Sequence, residues 1–353
     1  MFVGEETVVF HKSDLHFLQK FGVTEATEMV LAYRAQTGLP FLYDTYQLAD
    51  FLFVRRKALF HTLRHGEKYY RPVTIKKRNG GKRHLSVPDE WLKGVQERIL
   101  HGLLDGRPVS RYATAYHRGA TLQKNAAPHA GKKYLLKLDL QNFFGSIRFD
   151  QVYGAAFNTR YYPKQVGTIL TTLCCREDVL PQGAPTSPAL SNLVMCRFDD
   201  AFGGWCKKRG WVYTRYCDDL TVSGDTPLYL AYCRAKAMLQ EMGFVLNEEK
   251  TRFLSHGRRQ SVTGLTVNET VRVSGDYKRR LRQEVYYAEK FGAEDVIRRQ
   301  GLSAYRHPDG TPDGERYWRS LMGRIGYVLQ IEPENAWFRA AGERIGQRIS
   351  QNG

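Results

Sequence analysis

Two segments constrain this chain more than any other feature: KYLLKLDLQNFF over 133–144 and WVYTRYCDDLTVSG over 211–224. The Leu-rich run of the first suits a buried central strand closed by Asp139. The second reads as two short strands joined by a tight turn at Cys217-Asp218-Asp219. A carboxylate at the end of a buried strand costs desolvation free energy unless a cation meets it. If the strands are neighbours, Asp139, Asp218 and Asp219 converge on one edge of a sheet. That arrangement suits two Mg²⁺ ions roughly 3.5–4 Å apart, activating an attacking hydroxyl and stabilising a leaving pyrophosphate. An Asp-Asp pair alone is weak. A second pair, Asp199-Asp200, has a helical context and reads as a solvated or salt-bridged face.

Charge supplies an independent clue. The formal net charge is +17 over 353 residues, and it is unevenly spread. Residues 1–50 carry 3 basic and 7 acidic side chains, residues 51–138 carry 20 and 5, residues 139–250 carry 12 and 12, and residues 251–353 carry 18 and 12. A neutral middle flanked by two basic regions suits a polyanion gripped from both sides. A surface that serves solubility alone does not concentrate its cations in this way. A hydrophobic content of 42% excludes wholesale disorder, and the length allows two or three modest cores or one elaborated domain. No apolar run approaches the roughly 20 residues that span a bilayer, and no basic-then-apolar leader opens the chain, which argues against secretion and membrane insertion. The six cysteines form no C-x-x-C pair, as expected of a reduced, cytoplasmic chain.

Helical spacing covers 15–22, 24–38 and 45–66, the last ending at Gly66. YYRPVTIKKRNGGKRHLSVP alternates apolar and basic residues about Asn79-Gly80-Gly81 and predicts a hairpin. Helices are expected at 90–106, from Ser187-Pro188 onward, over 227–243, from Tyr277, and over 315–330, with a short strand pair over 262–275. The last 25 or so residues are too few for another folded domain.

LKLDLQNFF, LPQGAPTSPALSN, RYCDD and GFVLNEEKT, in this order, resemble the successive palm motifs of reverse transcriptases. IKKRNGGKRHLSVP resembles the fingers hairpin of the bacterial branch. NAAPHAG (Asn125–Gly131) resembles the N-A-x-x-H element of retron reverse transcriptases, and VTGLTVN (Val262–Asn268) and SLMGRIGYV (Ser320–Val328) resemble elements of their thumb. The resemblance covers about 50–335. It implies an α+β right-hand polymerase: an N-terminal helical extension over 1–66, fingers over 67–133, a palm over 134–260 built as an antiparallel sheet with helices on one face, and an RNA-binding thumb over 261–353.

The same resemblance implies roles. Asp139, Asp218 and Asp219 correspond to the catalytic metal-binding carboxylates, and Leu140 joins the metal-binding set. Lys82 and Arg83 fall where the family holds the incoming triphosphate, or else form a generic basic hairpin face. Gln182 matches the residue lining the sugar of the nucleotide. Phe144 matches the aromatic gate that excludes a 2′-hydroxyl, or else is core. Lys250 matches a lysine near the pyrophosphate and is a candidate general acid, or one of many surface lysines. Asn125 and His129 either help position RNA and the fingers–palm junction or are satisfied structural residues. Val262, Thr263 and Gly264 are candidates for template RNA contact, or a simple turn. Lys278, Arg279, Arg282 and Tyr286 offer cations and an aromatic on one helix for RNA recognition, or a face that packs on the palm. Cys217 stands where the retron pattern usually has Ala.

The implied function is RNA-directed DNA synthesis from dNTPs with two Mg²⁺ ions, on a dedicated structured non-coding RNA that is both template and primer. The 2′-hydroxyl of an internal guanosine starts the DNA, giving a branched RNA–DNA molecule, the msDNA. Retrons resemble phage-defence systems with a separately encoded effector protein, and a host RNase H removes the template. Three alternatives compete: a group II intron-like reverse transcriptase, an abortive-infection reverse transcriptase, and an inactive polymerase fold serving as an RNA-binding scaffold. An intact set of three carboxylates argues against the scaffold.

Overall fold

The computed structural model describes residues 8–76 and 80–352. Helices α1 (Leu15–Phe21) and α2 (Val23–Thr37) lead the chain, and α2 ends at Gly38, whose φ of 66° is the left-handed conformation that glycine adopts without steric cost. The single helix expected over 45–66 is two, α3 (Thr45–Phe51) and α4 (Arg56–Arg64). Phe53, at φ 53°, breaks it. Arg98 stabilises the break, donating from Nη1 to the Leu52 carbonyl at 2.8 Å while its guanidinium lies over the Phe53 ring. The helix-end carbonyl is thereby satisfied, and Leu48, Leu52 and Leu59 all face inward.

Strands β1 (Tyr70–Lys76) and β2 (Lys82–Pro88) form the expected antiparallel hairpin, with Lys76 opposite Lys82. Asn79, expected at its turn, lies outside the described residues. Helix α5 (Glu90–Ile99) starts where the Asp89 carboxylate accepts from the Leu92 N–H, and it runs on through a π-helical turn, Leu100–Leu104. Then follow α6 (Leu122–Ala126), β3 (Tyr134–Asp139), α7 (Phe149–Val152), α8 (Lys164–Cys174), α9 (Ser187–Lys207), β4 (Val212–Tyr216), β5 (Asp219–Gly224), α10 (Tyr229–Glu241) and β6 (Arg252–Ser255).

The central sheet has the order β4-β5-β3-β6, and every pairing is antiparallel. Side-chain alternation gives it two faces. Leu136 and Leu138 of β3, Leu220 and Val222 of β5 and Tyr213 of β4 enter a large core with α5, α8, α9 and α10. Asp199 of α9 is fully buried on this side and paired with Arg215 of β4, so of the two readings offered for it the salt-bridged one holds and the solvated one does not. The opposite face carries Thr214, Ser223 and Leu135, each buried against other parts of the chain.

The C-terminal body begins with β7 (Ser261–Val262), β8 (Leu265–Thr266) and β9 (Arg272–Val273), a three-stranded sheet where a strand pair was expected. Helices α11 (Gly275–Phe291), α12 (Ala293–Arg299), α13 (Gly314–Ile331) and α14 (Ala336–Asn352) complete it. The segment too short for another domain is α14, which seals this second core with Phe338, Ala341 and Ile345. Ala126 of α6 and Leu135 of β3 belong to the same core. A small third cluster holds Phe17, Ala26 and Val30.

One close approach in the central core sets a sharp requirement. A Cβ on Gly167 of α8 would overlap the Phe157 carbonyl at the end of the π-helical turn that follows α7. The obstacle is backbone, so no side-chain rotation relieves it. Gly167→Ala is expected to cost about 1–3 kcal/mol, read as a lowered midpoint in chemical or thermal unfolding.

Candidate active site

Register brings the three carboxylates together. Asp139 at the end of β3 is the direct partner of Asp219 at the head of β5. Cys217, at φ 59°, turns the chain between β4 and β5 and leaves Asp218 at the tip. The Leu140 N–H donates to the Asp218 carbonyl at 3.2 Å, and the Asn247 N–H to the Asp139 carbonyl at 2.8 Å. The backbone around all three is therefore pinned.

The electrostatics are those of a site that wants cations. Burial raises the pKa of Asp218, and the charge of Asp139 adds to the effect. Asp219 is pushed up to about 6, first by burial and then by the Asp218 and Asp139 charges. Three cations oppose this: Lys250 acts on both residues, Arg83 on Asp218 and Lys137 on Asp219. Lys250 donates from Nζ to both Asp139 oxygens, at 2.9 and 3.0 Å, and that bond holds its own pKa up.

The nucleotide-facing candidates gather around the same edge. Lys82 and Arg83 stand exposed on β2, and Arg83 is near enough for its charge to act on Asp218. The hairpin is docked there by backbone: the Ser86 N–H donates to the Gln182 carbonyl at 2.9 Å. Gly183, at φ 130°, lets the strand approach, since a Cβ there would press on the Ser86 carbonyl at 3.0 Å. Phe144 is half-buried, its ring 5.4 Å from Phe143 and 6.3 Å from Tyr116, whereas Phe143 is core. The Leu140 side chain is buried, leaving only its backbone at the site.

The candidates for RNA contact divide. His129 is 0% exposed and Asn125 1%. The His129 ring nitrogens bond Ser223 Oγ at 2.7 Å and Thr214 Oγ1 at 2.8 Å, and burial lowers its pKa to about 3, so it stays neutral. Asn125 Oδ1 accepts from Thr114 and Thr214, and its Nδ2 donates to Thr263 Oγ1 at 3.4 Å. Val262 is fully buried in the C-terminal core. Direct RNA contact by these three side chains is corrected to a structural role: they clip the C-terminal body to the back of the central sheet. Thr263, at φ 46°, and Gly264, at φ 85°, form the turn between β7 and β8, with Gly264 exposed. Lys278 is corrected likewise, because its ammonium is held by Glu332 at 2.7 Å. Arg279, Arg282 and Tyr286 are exposed on one face of α11, Arg279 near Asp276 and Arg282 over the Trp337 and Phe338 rings.

Sequence reasoning missed Tyr116. It takes a left-handed φ of 61°, stands beside Phe144, and its hydroxyl lies at the Cys217 thiol. Nothing in YATAYHRG marks that conformation. Arg215 was also missed, although an arginine inside an apolar strand demands a buried acid, and Asp199 supplies it.

Among the described residues, no three His, Cys, Asp or Glu side chains converge closely enough to hold an ion unaided. Clustered carboxylate oxygens whose negative charge is only partly answered nevertheless suit a hard divalent cation that completes its shell with water and substrate phosphates. The residues fit such an ion.

Two outcomes are expected. Asp218→Asn or Asp139→Asn abolishes DNA synthesis in primer extension and leaves RNA affinity within a few-fold, since the basic regions expected to meet RNA phosphates are outside this acidic cluster. Asp219→Asn stabilises the metal-free protein at pH 7 by about 1–3 kcal/mol. The sign follows from a folded-state pKa raised above the unfolded value: folding binds a proton, so the ionised form opposes folding above about pH 6. The gain therefore disappears in unfolding experiments as pH falls below about 4, where both states hold the proton.

A family model described as reverse transcriptase (RNA-dependent DNA polymerase) matches residues 75–275. The Retron Mx65 reverse transcriptase of Myxococcus xanthus is 35% identical over 321 residues, covering 85% of this chain and 69% of that protein. The Retron Ec86 reverse transcriptase of Escherichia coli is 29% identical over 255 residues, covering 71% and 79%. Among solved structures, apo telomerase from Candida tropicalis aligns with a TM-score of 0.44 and 12% identity, over 80% of this chain and 58% of that one. The alignments with the retron enzymes span more of the chain than the polymerase region alone, and the chain belongs to the retron-type reverse transcriptases, RNA-directed DNA polymerases of the right-hand fold.

Proposed function

We propose that this enzyme copies one dedicated structured non-coding RNA into single-stranded DNA, starting from the 2′-hydroxyl of an internal guanosine and leaving a branched RNA–DNA product. The observation that carries the reading is the sheet edge itself, where Asp139, Asp218 and Asp219 meet Lys250 and face the basic hairpin. Similarity to retron enzymes over most of the chain supports the choice of RNA and of priming. The division into a helical extension over 1–66, fingers over 67–133, palm over 134–260 and thumb over 261–353 belongs to the same proposal.

In this reading Lys82 and Arg83 bind the triphosphate of the incoming dNTP, a polyanion that needs fixed cations. Gln182 and Phe144 line its sugar, Phe144 leaving no room for a 2′-hydroxyl. Asp139, Asp218, Asp219 and the Leu140 carbonyl would hold two Mg²⁺ ions, which when bound lower the cost of charge on the attacking and leaving oxygens. Lys250, an ammonium kept protonated by Asp139, donates its proton to the departing pyrophosphate. The basic regions over 51–138 and 251–353 grip the RNA, with Arg279, Arg282 and Tyr286 presented on α11. A host RNase H removes the copied template, and an effector protein encoded nearby is restrained by the RNA–DNA–enzyme particle in anti-phage defence. The bacterial cytoplasm is the setting. No helix among the described residues is long and apolar enough to cross a membrane.

Nucleic acid extracted from the purified protein is expected to contain an RNA joined to DNA through a 2′,5′ linkage, resistant to separation by denaturing electrophoresis and shortened by debranching enzyme. Recovery of linear DNA alone, extended from a 3′-hydroxyl, sinks the priming proposal while leaving the polymerase intact.

A further inference from the structure

Behind the catalytic turn lies a buried polar network. Arg215 of β4 is 0% exposed, as is Asp199 of α9. Arg215 Nε donates to both Asp199 oxygens at 3.0 Å, and Nη2 donates to Asp199 Oδ2 at 2.6 Å. The Tyr213 hydroxyl donates to Asp199 Oδ1 at 2.7 Å. The carboxylate is thus saturated, yet the guanidinium has donors left over. Nη2 also reaches Asn192 Oδ1 at 3.1 Å, and Nη1 reaches the carbonyl of Cys217 at 3.0 Å.

That last contact falls on the residue that turns the chain from β4 into Asp218 and Asp219. Cys217 is the left-handed residue of the turn, immediately before Asp218. A non-glycine residue holds such a φ only when its surroundings over-determine it. Asn192 extends the same network to the outer wall of the site, donating from Nδ2 to the Ala115 carbonyl at 2.8 Å, next to Tyr116. The backbone of Arg215 is itself locked to the 112–114 segment, accepting from the Thr114 N–H and donating to the Tyr112 carbonyl. One rigid fork therefore ties a core helix, the catalytic turn and the Tyr116 wall together.

Stability alone does not account for it. A buried ion pair replaced by well-packed apolar side chains is often neutral or stabilising. A planar guanidinium that reaches a carboxylate, an amide and a carbonyl at fixed angles does what neither lysine nor an apolar residue does. We propose that Arg215, oriented by Asp199, is a positioning residue of the polymerase: through the Cys217 carbonyl it fixes the catalytic turn and with it the spacing of Asp218 and Asp219 from Asp139. The proposal rests on these three carboxylates being the catalytic set.

The test uses the full-length enzyme on a generic primer–template, with Arg215→Lys, the double variant Asp199→Leu with Arg215→Met, and Asp218→Asn as reference. Folded fraction is followed by thermal unfolding and template affinity. Binding of Mn²⁺, a spectroscopic probe of the carboxylate site, is followed by electron paramagnetic resonance. Expected is a folded Arg215→Lys protein whose kcat falls about a hundredfold at nearly unchanged KM for dNTP, with Mn²⁺ affinity down about tenfold. The double variant is expected to fold and to show the same losses. Wild-type kcat and Mn²⁺ affinity in either folded variant overturn the proposal. So does a loss of activity that merely follows the folded fraction, which assigns the pair to stability alone. Undiminished synthesis by Asp218→Asn identifies a different failure, that of the carboxylate assignment beneath it.

Discussion

The pairing of Asp139 with Asp219 across β3 and β5 is the constraint to which the rest of the structure answers. It places like charges at the rim of an apolar sheet, where each raises the cost of ionising the next. Everything nearby offsets that cost or resists it mechanically. Lys250 lies on Asp139, Lys137 and Arg83 lend distant positive charge, and the turn is held from behind by Arg215. Because strand side chains alternate, a slip of one residue would send Asp139 to the wrong side and Leu138 to the rim. The Leu136, Leu138, Leu220 and Val222 packing against the helices is what forbids that slip. Core packing thus acts here as a device for aiming carboxylates.

Much of this was legible in the chain. Strong local patterns carried through: the apolar run into Asp139, the tight turn at Asp218-Asp219, the hairpin around 70–88 and the Ser187-Pro188 helix start all depend on neighbours in sequence. What failed depended on partners far away. The helix break at Phe53 is stabilised by Arg98, some 45 residues on, and no local breaker announces it. Asp199 looked like half of a surface pair because its partner lies in another element. Asn125, His129 and Val262 resembled recognition residues by motif, but a motif records that residues matter and not whether they face solvent. Here they face Thr214, Ser223 and the C-terminal core. The exposed side of α11 was read correctly from helical spacing for Arg279, Arg282 and Tyr286. Lys278, a candidate on the same helix but one position off that face, is drawn inward to Glu332.

The buried clip has a consequence for how such enzymes diversify. Ala126 and Leu135 are built into the same core as α11, α13 and α14, and Asn125 and Thr263 are joined across the seam. The C-terminal body is therefore not a cassette with a clean joint near residue 261. A graft that imports it from a relative must bring matching side chains at 125, 126 and 135, and must include α14, or it inherits a hole in its core. Recombination between lineages is penalised at that point, whereas the exposed positions on the outer face of α11 take substitutions one at a time. Under the proposed assignment of RNA contact to α11, preference for one RNA changes by surface substitution while the buried joint is inherited as one piece.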